Sequence, residues 1–413
     1  MLVRREWMLL ALLLTAPMAA ATGNVVTDWD EKAVAILQPG TARPPETAFR
    51  TMAILHLAMF DAVNSIEPRY KPYKIRLPAT PGASKEAAAA VAAGAVLVKL
   101  IPDVAADVQS ALTSYLASLP DGEAKANGMR LGQEVAANTL AAREKDGASA
   151  ADAYRPRTKP GVYIPTPLTV GWPIANMTPF VLTSPSQFRA KPPPSLKSAE
   201  WARDYNEIKE VGEKNSTKRT ARQTEDARFW LLVGPRAYNP LARQIVIAKN
   251  MDLLDSARFM GLYSVAQADG AIAFFEAKYK YEFWRPLTAI RNGDIDGNPA
   301  TEREASWQPL DATPMHPEYP CAHCVQSSTA AAVIQGLLGG DEIPEVALTS
   351  PFLPGVTHRF TNLRAFTDEV ANARIYAGFH YRFSTIAGRE MGQKIGAYAV
   401  KSVMQPAQTA MAR

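Results

Sequence analysis

The sequence predicts an all-α protein made of two packed helix-bundle halves, joined by a long proline-rich crossing loop. Apolar residues recur at helical spacing along most of the chain, and no segment sustains the alternation of a strand. Prolines crowd into residues 154–194, where a regular helix cannot form. The 413 residues are 47% hydrophobic and 21% charged, which suffices for a large core or two sub-bundles.

The first 21 residues have the pattern of a secretory signal peptide. Arg4 and Arg5 precede an apolar run, residues 8–16, and Ala19 to Ala21 offer a cleavage site. That run is shorter than the roughly 20 residues of a membrane-spanning helix. We therefore expect an exported protein, periplasmic or secreted, that keeps no stable membrane span after cleavage.

The first half, residues 22–197, combines helices with the crossing loop. Residues 24–46 are polar and turn-rich, which indicates an irregular, wrapped segment. Helical periodicity then predicts helices at 47–64, at 85–119 with a break near Pro102, and at 123–144.

The second half, residues 198–413, is predicted to be mostly helical and to carry the functional site. Residues 293–320 lack periodicity and are expected to be irregular. The remaining pattern predicts helices at 198–213, 220–233, 240–285, 324–338, 363–376 and 384–404.

Three short clusters in this half carry residues suited to binding an oxyanion. The first holds Lys278 and Arg285, followed by Pro286. A lysine point charge beside a guanidinium fork suits a multiply charged oxyanion, and a spacing of two helical turns points both side chains the same way. Taken alone, this cluster is equally typical of a solvated helix face.

The second cluster is Pro320-Cys-Ala-His323, directly before a predicted helix. Free backbone N–H groups at a helix start attract anions, and His323 would be the acid–base group there. In the third cluster, Arg374 and His380 lie on different sides of any unbroken helix. Gly378 permits a break that would let His380 open the next segment. A packed imidazole and a surface arginine are the alternatives for these two clusters.

The net charge of +5 suits a small anionic substrate. It is too diffuse for nucleic acid, because no run of basic residues is interleaved with aromatics. Cys321 and Cys324 form one C-x-x-C pair, too few ligands for a tetrahedral zinc site. In an exported protein we expect them to form a disulfide, whereas the alternative is a free Cys321 thiol that donates to the anion.

The ordered trio K-x6-R-P, P-x-x-H and R-x5-H resembles the signature shared by vanadium-dependent haloperoxidases and type 2 phosphatidic acid phosphatases, in the bacterial haloperoxidase-like branch. The resemblance implies an all-helical fold with one oxyanion site. It also implies that Lys278, Arg285 and Arg374 hold the anion's oxygens, with the backbone N–H of Ala322 as a further donor. His323 would be the acid–base residue.

In the same resemblance, His380 would be the axial vanadium ligand of a peroxidase or the nucleophile of a phosphatase. Two positions depart from the family pattern. Cys321 stands where the family usually has serine, and Ser384 stands where the phosphatases usually have aspartate. Asp368 or Glu369 could substitute for that missing acid through space.

The main hypothesis is a vanadate-dependent enzyme that uses hydrogen peroxide to oxidise a halide or a similar donor. The alternatives are a phosphatase that hydrolyses phosphate monoesters through a phosphohistidine and needs no cofactor, and a non-catalytic oxyanion-binding protein. Thiol–disulfide exchange by Cys321 and Cys324 is disfavoured, because that motif normally sits in a βαβ setting.

Overall fold

The computed structural model describes residues 22–37, 45–75, 77–78, 81–165 and 167–407. Within these ranges the chain is mostly helical and contains one two-stranded sheet, which confirms the all-α prediction. The predicted signal peptide, residues 1–21, lies outside the described residues. Among the helices that the structure describes, none has the length and apolar character needed to cross a membrane.

The described residues of the first half form six α-helices, with a 3-10 turn at Pro102–Val104 where a break was predicted. They are α1 (Val25–Ile36), α2 (Pro45–Ile66), α3 (Lys85–Leu100), α4 (Ala105–Ala117), α5 (Glu123–Ala142) and the short α6 (Trp172–Ala175). The prediction of irregular chain at residues 24–46 was wrong for α1. Asn24 caps this helix by accepting the N–H of Val26, and the apolar side of the helix is buried.

Up to residue 407, where the described chain ends, the second half has eight α-helices and a hairpin. They are α7 (Ala199–Val211), α8 (Ala221–Phe229), α9 (Pro235–Ala248), α10 (Leu253–Tyr281), α11 (Pro286–Ile290), α12 (Ala322–Leu338), β1 (Glu342–Thr349), β2 (Thr357–Asn362), α13 (Leu363–Tyr376) and α14 (Arg382–Ser402). The helix predicted over 240–285 is in fact two helices, α9 and α10. Asn250 adopts a left-handed φ of 47° between them, and Asp252 caps α10 by accepting the N–H of Asp255.

The central helix is α10, which is buried on nearly all sides. It packs against α2 from the first half and against α12 and α14 from the second. One continuous apolar core therefore contains side chains from both predicted halves. The division at residues 197 and 198 stays a prediction.

The crossing loop, residues 154–194, is largely irregular, as predicted, and it is anchored to the α10 region. The carboxylate of Asp269 accepts the backbone N–H groups of Phe180, Val181 and Leu182 at 2.6, 2.7 and 2.8 Å. Earlier in the loop, Tyr163 N–H donates to the carbonyl of Glu282, just after the end of α10, at 2.7 Å. These contacts hold the loop against the middle of α10 and against its C-terminal end, where the first charged cluster lies.

Close packing between α12 and α14 places the other two clusters side by side. A Cβ at Gly392 of α14 would lie 2.3 Å from the carbonyl oxygen of Val325 in α12, so only glycine permits this approach. The N–H of Cys321 donates to the carbonyl of Ser384 at 3.3 Å. The start of α12 and the start of α14 therefore meet at one place.

The β1–β2 hairpin was not predicted. Its strands are antiparallel, with Val346 opposite Phe360 and Leu348 opposite His358. In β2 the buried residues are His358 and Phe360, while Arg359 and Thr361 are exposed. The alternation was missed because one inward residue is a histidine and because Pro344 interrupts β1.

Candidate active site

The three predicted clusters meet in one buried site between α10, α12, α13 and the start of α14. Lys278, Arg285, Arg374 and His380 are each at most 2% exposed, and His323 is 8% exposed. None of these side chains is part of a solvated helix face. Burying so many cationic side chains is costly unless an opposite charge compensates them.

Lys278 lies in the last turn of α10 and organises the loop that precedes α12. Its Nζ donates to the carbonyl oxygens of Pro317, Glu318 and Pro320 at 3.0, 2.8 and 2.6 Å. An ammonium group has three donors, so all of them are used. In this structure Lys278 contributes its charge to the site while its hydrogen bonds hold the loop. Direct contact with an anion stays a prediction.

Arg285 follows the end of α10, where Glu282 adopts a left-handed conformation with a φ of 49°. The expectation that the helix would continue to Arg285 was wrong, because this residue is extended and precedes α11. Its Nη1 donates to the carbonyl of Phe379 at 3.0 Å and to Nε2 of His380 at 3.2 Å. Its Nη2 donates to Nδ1 of His316 at 3.0 Å. Arg285 therefore connects the first and third clusters.

His380 enters the site because the chain breaks after α13, as Gly378 predicted. Gly378 has a φ of 78°, and a Cβ there would lie 2.5 Å from the carbonyl oxygen of Gly212. Because arginine can only donate, Nε2 of His380 must accept from Arg285 and carries no proton. Its Nδ1–H donates to Glu318 Oε1 at 2.7 Å. The imidazole thus presents an unprotonated Nε2 on the side of Arg285.

Glu318 is the carboxylate that orients His380, and sequence reasoning missed it. It is fully buried and also accepts the N–H of Tyr381 at 3.2 Å. Burial raises its pKa to about 7, against the opposing effects of Lys278 and Arg285. The signal that was available is a Glu between two prolines, two residues before Pro320, in a run treated only as irregular chain.

The two acids considered for this role are engaged elsewhere, so that suggestion was wrong. Asp368 pairs with Arg389 at 2.5 Å, and Glu369 accepts from His358 at 2.6 Å. Both lie on α13, one to two turns before Arg374. An acid in the preceding loop replaces the one expected after His380.

Arg374 lies near the end of α13 and is only partly satisfied by hydrogen bonds. Its Nη1 donates to the carbonyl of Trp230, which is free because α8 ends at Phe229. Its Nε is buried and has no hydrogen-bond partner among the described residues. Burial lowers the pKa of the guanidinium. An unpartnered buried N–H of a cation is a donor that awaits an acceptor.

His323 occupies the second position of α12, which begins two residues before the predicted start, and it lines a small cavity of about 60 Å³. Its Nε2–H donates to the carbonyl of Leu232 at 3.0 Å. Aromatic side chains share this cavity with it, and so does His316, a histidine that sequence reasoning missed. The backbone N–H of Ala322 is in the first turn of the helix, where no intrahelical acceptor exists.

Cys321 and Cys324 are both buried, and the structure records them as free thiols with sulfur atoms 2.6 Å apart. Cys321 Sγ also accepts the N–H of Cys324 at 3.3 Å and so caps α12. The predicted disulfide is not present in this structure, and its formation stays a prediction. Direct donation from Cys321 to an anion likewise stays a prediction.

The electrostatics of the site fit an oxyanion such as vanadate or phosphate. Burial, reinforced by the neighbouring cations, lowers the pKa of His316, His323 and His380 well below the usual value, so these imidazoles are neutral. Three cationic side chains then share one buried carboxylate, that of Glu318, while the exposed Asp311 adds a negative charge near Arg374. The unpartnered Nε of Arg374 and the first-turn amides of α12 are donors for the oxygens of such an anion.

Comparisons with known proteins find similar chains among vanadium-dependent haloperoxidases. Residues 258–409 match the family model of the VCPO second helical-bundle domain. Vanadium chloroperoxidase from Curvularia inaequalis is 26% identical over 277 residues, a match covering 51% of this chain and 45% of that protein. The match thus spans less than half the length of that relative.

Two solved structures share the fold over most of their length. A bacterial vanadium-dependent iodoperoxidase superposes with a TM-score of 0.80 at 22% identity, covering 95% of this chain and 99% of that one. An apo-type bacterial vanadium-dependent chloroperoxidase gives 0.72 at 17% identity, covering 88% and 95%. At such identities the likeness establishes the fold.

Proposed function

Because the chain belongs to the superfamily of vanadium-dependent haloperoxidases and type 2 phosphatidic acid phosphatases, we propose that it is a vanadate-dependent peroxidase. It uses hydrogen peroxide to oxidise a halide or a similar two-electron donor. The single observation that carries the proposal is the unprotonated Nε2 of His380, which faces Arg285 in a buried site with excess positive charge.

The residues present fit vanadate in named roles. His380 would ligate the metal through Nε2, and Glu318 would hold the ring in the required tautomer. Arg285, Arg374 and the backbone N–H of Ala322 would hold the oxygens, while Lys278 supplies charge and fixes the loop. When bound, vanadate would supply Lewis-acid activation of peroxide.

His323 would be the acid–base group of the reaction. With Nε2–H donating to Leu232, its Nδ1 remains the atom that can accept a proton. The ring is neutral, and it lines the small aromatic cavity. Peroxide and halide are small enough for such a cavity, and its apolar walls limit the access of water.

One observation favours phosphate-monoester hydrolysis as a second candidate. A nucleophilic histidine requires a carboxylate that stabilises the positive charge it acquires, and Glu318 lies 2.7 Å from Nδ1 of His380. The presence of serine rather than aspartate at position 384 therefore does not argue against a phosphatase. Glu318, in the loop before α12, would stabilise the charged imidazole of His380 instead.

One preparation assayed twice separates the two candidates. Peroxide-dependent bromination and p-nitrophenyl phosphate hydrolysis are each measured with and without added vanadate. A peroxidase gains bromination with vanadate, whereas a phosphatase hydrolyses the ester and loses that activity when vanadate is added. Absence of both activities in a folded preparation that binds vanadate would favour a non-catalytic oxyanion-binding protein.

Export to the periplasm or medium, with a Cys321–Cys324 disulfide, is proposed from the sequence pattern. A bond there would fix the start of α12. Mass spectrometry of unreduced protein after alkylation tests both points. The expected result is an N-terminus after residue 21 and no alkylated cysteine. Two alkylated cysteines in freshly exported protein would contradict the disulfide.

A further inference from the structure

A second group of charged side chains lies where α8, β2 and α13 meet. Glu225 and Asp226 of α8 and His358 of β2 each offer one ligand atom, and these atoms lie within 4.8 Å of one another. We propose that these three side chains, the metal cluster, bind a divalent transition-metal ion. This site is separate from the anion site and is not needed for the reaction proposed above.

The environment of His358 indicates a bound ligand independently of the two acidic residues. Its side chain is 2% exposed, and its ring stacks on Phe229 with centroids 3.8 Å apart. Nδ1 lies 2.6 Å from Glu369 Oε1, so Nδ1–H is the donor. Nε2 is buried, lies 3.5 Å from Glu225 Oε1, and has no hydrogen-bond partner among the described residues.

This arrangement has the form that proteins use to present histidine to a metal. A carboxylate that accepts from one ring nitrogen orients the imidazole and leaves the other nitrogen as the ligand atom. Glu369 is itself fixed, because Oε1 also accepts from Trp230 Nε1 at 2.9 Å. An unprotonated Nε2 facing a carboxylate oxygen is repulsive, and a cation between the two atoms relieves the repulsion.

The charge around the metal cluster also calls for a cation. The carboxylates of Glu225, Asp226 and Glu369 are opposed mainly by Arg222, which contacts them at 2.9, 2.8 and 3.2 Å. Burial and the neighbouring Glu369 raise the pKa of Asp226 to about 6. The Arg222 side chain is 60% exposed and is free to swing into solvent, so it competes with a metal for the same oxygens.

The donor set selects the class of metal. One imidazole nitrogen with two carboxylate oxygens suits zinc and similar transition ions with an open position for water. Calcium and magnesium prefer oxygen ligands alone. The competing arrangement is a doubly protonated His358 that bridges Glu225 and Glu369 in a metal-free ion-pair network.

The test uses the full-length, vanadate-loaded protein and zinc as the probe. Calorimetric titration compares wild type with the Glu225→Gln/Asp226→Asn double variant. Glu345→Gln is the matched control, since Glu345 lies on the same hairpin as His358 and forms a surface ion pair with the exposed Arg359. Wild type and control should bind one zinc ion that the double variant has lost. Equal zinc binding in all three proteins would overturn the proposal, even if other residues bind zinc.

Two further variants are expected to change zinc affinity in opposite directions. Arg222→Gln removes the competing cation and should tighten zinc binding severalfold, a gain that a misfolded protein cannot produce. Glu369→Gln loosens the orientation of His358 and should weaken binding about 10–100-fold, the usual cost of losing such a partner. The ion-pair network predicts no zinc response in either variant. Magnesium should not reproduce the zinc signal.

Discussion

The anion site and the metal cluster use the same local device in opposite electrostatic surroundings. In each, a glutamate accepts from Nδ1 of a buried histidine, Glu318 from His380 at 2.7 Å and Glu369 from His358 at 2.6 Å. Nε2 of His380 faces the guanidinium of Arg285, whereas Nε2 of His358 faces the carboxylate of Glu225. The histidine–carboxylate pair is common to both, and the charges on the far side of the ring differ in sign.

The difference teaches that the surrounding charge selects the ligand. At His380, buried cations outnumber the carboxylate, so an anion completes the charge balance. At His358, carboxylates outnumber the arginine, so a cation does. The two arginines also differ in burial. Arg285 is 1% exposed and is held in its site, whereas the side chain of Arg222 is largely exposed and can turn away from the carboxylates into solvent.

The largest expected effect comes from removing His380. His380→Ala should lower turnover by at least about 10²–10⁴-fold, the range for a positioned catalytic side chain. His358→Ala is the matched control, because this histidine is also buried and held by a glutamate, and it should keep turnover within a few fold. Steady-state assays of both folded variants provide the measurement. Equal losses in the two would remove the distinction between the sites.

Glu318→Gln tests the buried carboxylate through stability against pH. The folded pKa of Glu318, about 7, lies above its ordinary value of 4.5, so the folded state holds the proton more tightly. Wild-type stability, relative to the Gln variant, should therefore be greatest below pH 4.5 and decline as pH rises towards 7. The decline should be on the order of 3 kcal/mol.

Denaturant unfolding of both proteins at several pH values measures this difference. Subtracting the variant removes contributions common to both proteins, including those of the other buried carboxylates and histidines. A difference that does not change between pH 4.5 and 7 would mean that Glu318 is not the perturbed acid. A difference that grows with pH would mean that its charged form is favoured in the folded protein.

The two arginines of the anion site should each contribute a moderate share of binding. Arg285→Ala and Arg374→Ala should weaken vanadate or phosphate binding by about 1.5–3 kcal/mol each, the range for hydrogen bonds to charged groups. Arg222→Gln, which alters the opposite site, should leave that affinity unchanged. Calorimetric titration with vanadate is the measurement. Unchanged affinity in both alanine variants would place the anion elsewhere.

The smallest effect concerns the link between the two sites. The indole N–H of Trp230 donates to Glu369, and the backbone carbonyl of Trp230 accepts from Arg374. Because the link passes through one loop residue, Glu369→Gln should change vanadate affinity by less than about 1 kcal/mol. Titration of the variant with and without zinc checks this. A large loss would show that the sites are coupled and would break the comparison.

Several parts of the fold and site were predictable because they depend on local chain chemistry. Periodicity located α2, α3, α5, α7, α12 and α13 within a few residues. Gly378 predicted the break before His380, and the ordered clusters identified Lys278, Arg285, His323, Arg374 and His380 as neighbours. The hairpin was missed because its buried face contains a histidine. Helix α1 was missed because it lies within residues 24–46, a segment that reads as polar and turn-rich.

The sequence by itself determined the helical class, the clusters of basic residues and histidines, and the kind of ligand they suit. These depend on residue type and on spacing within one or two turns. Only the tertiary structure decided that Lys278 donates its N–H groups to backbone carbonyls and that Glu318 orients His380. It also decided that His358 of β2 lies close to Glu225 of α8. Each of these depends on which distant atoms burial brings within 3.5 Å, and on the charge enclosed with them, which no local pattern specifies.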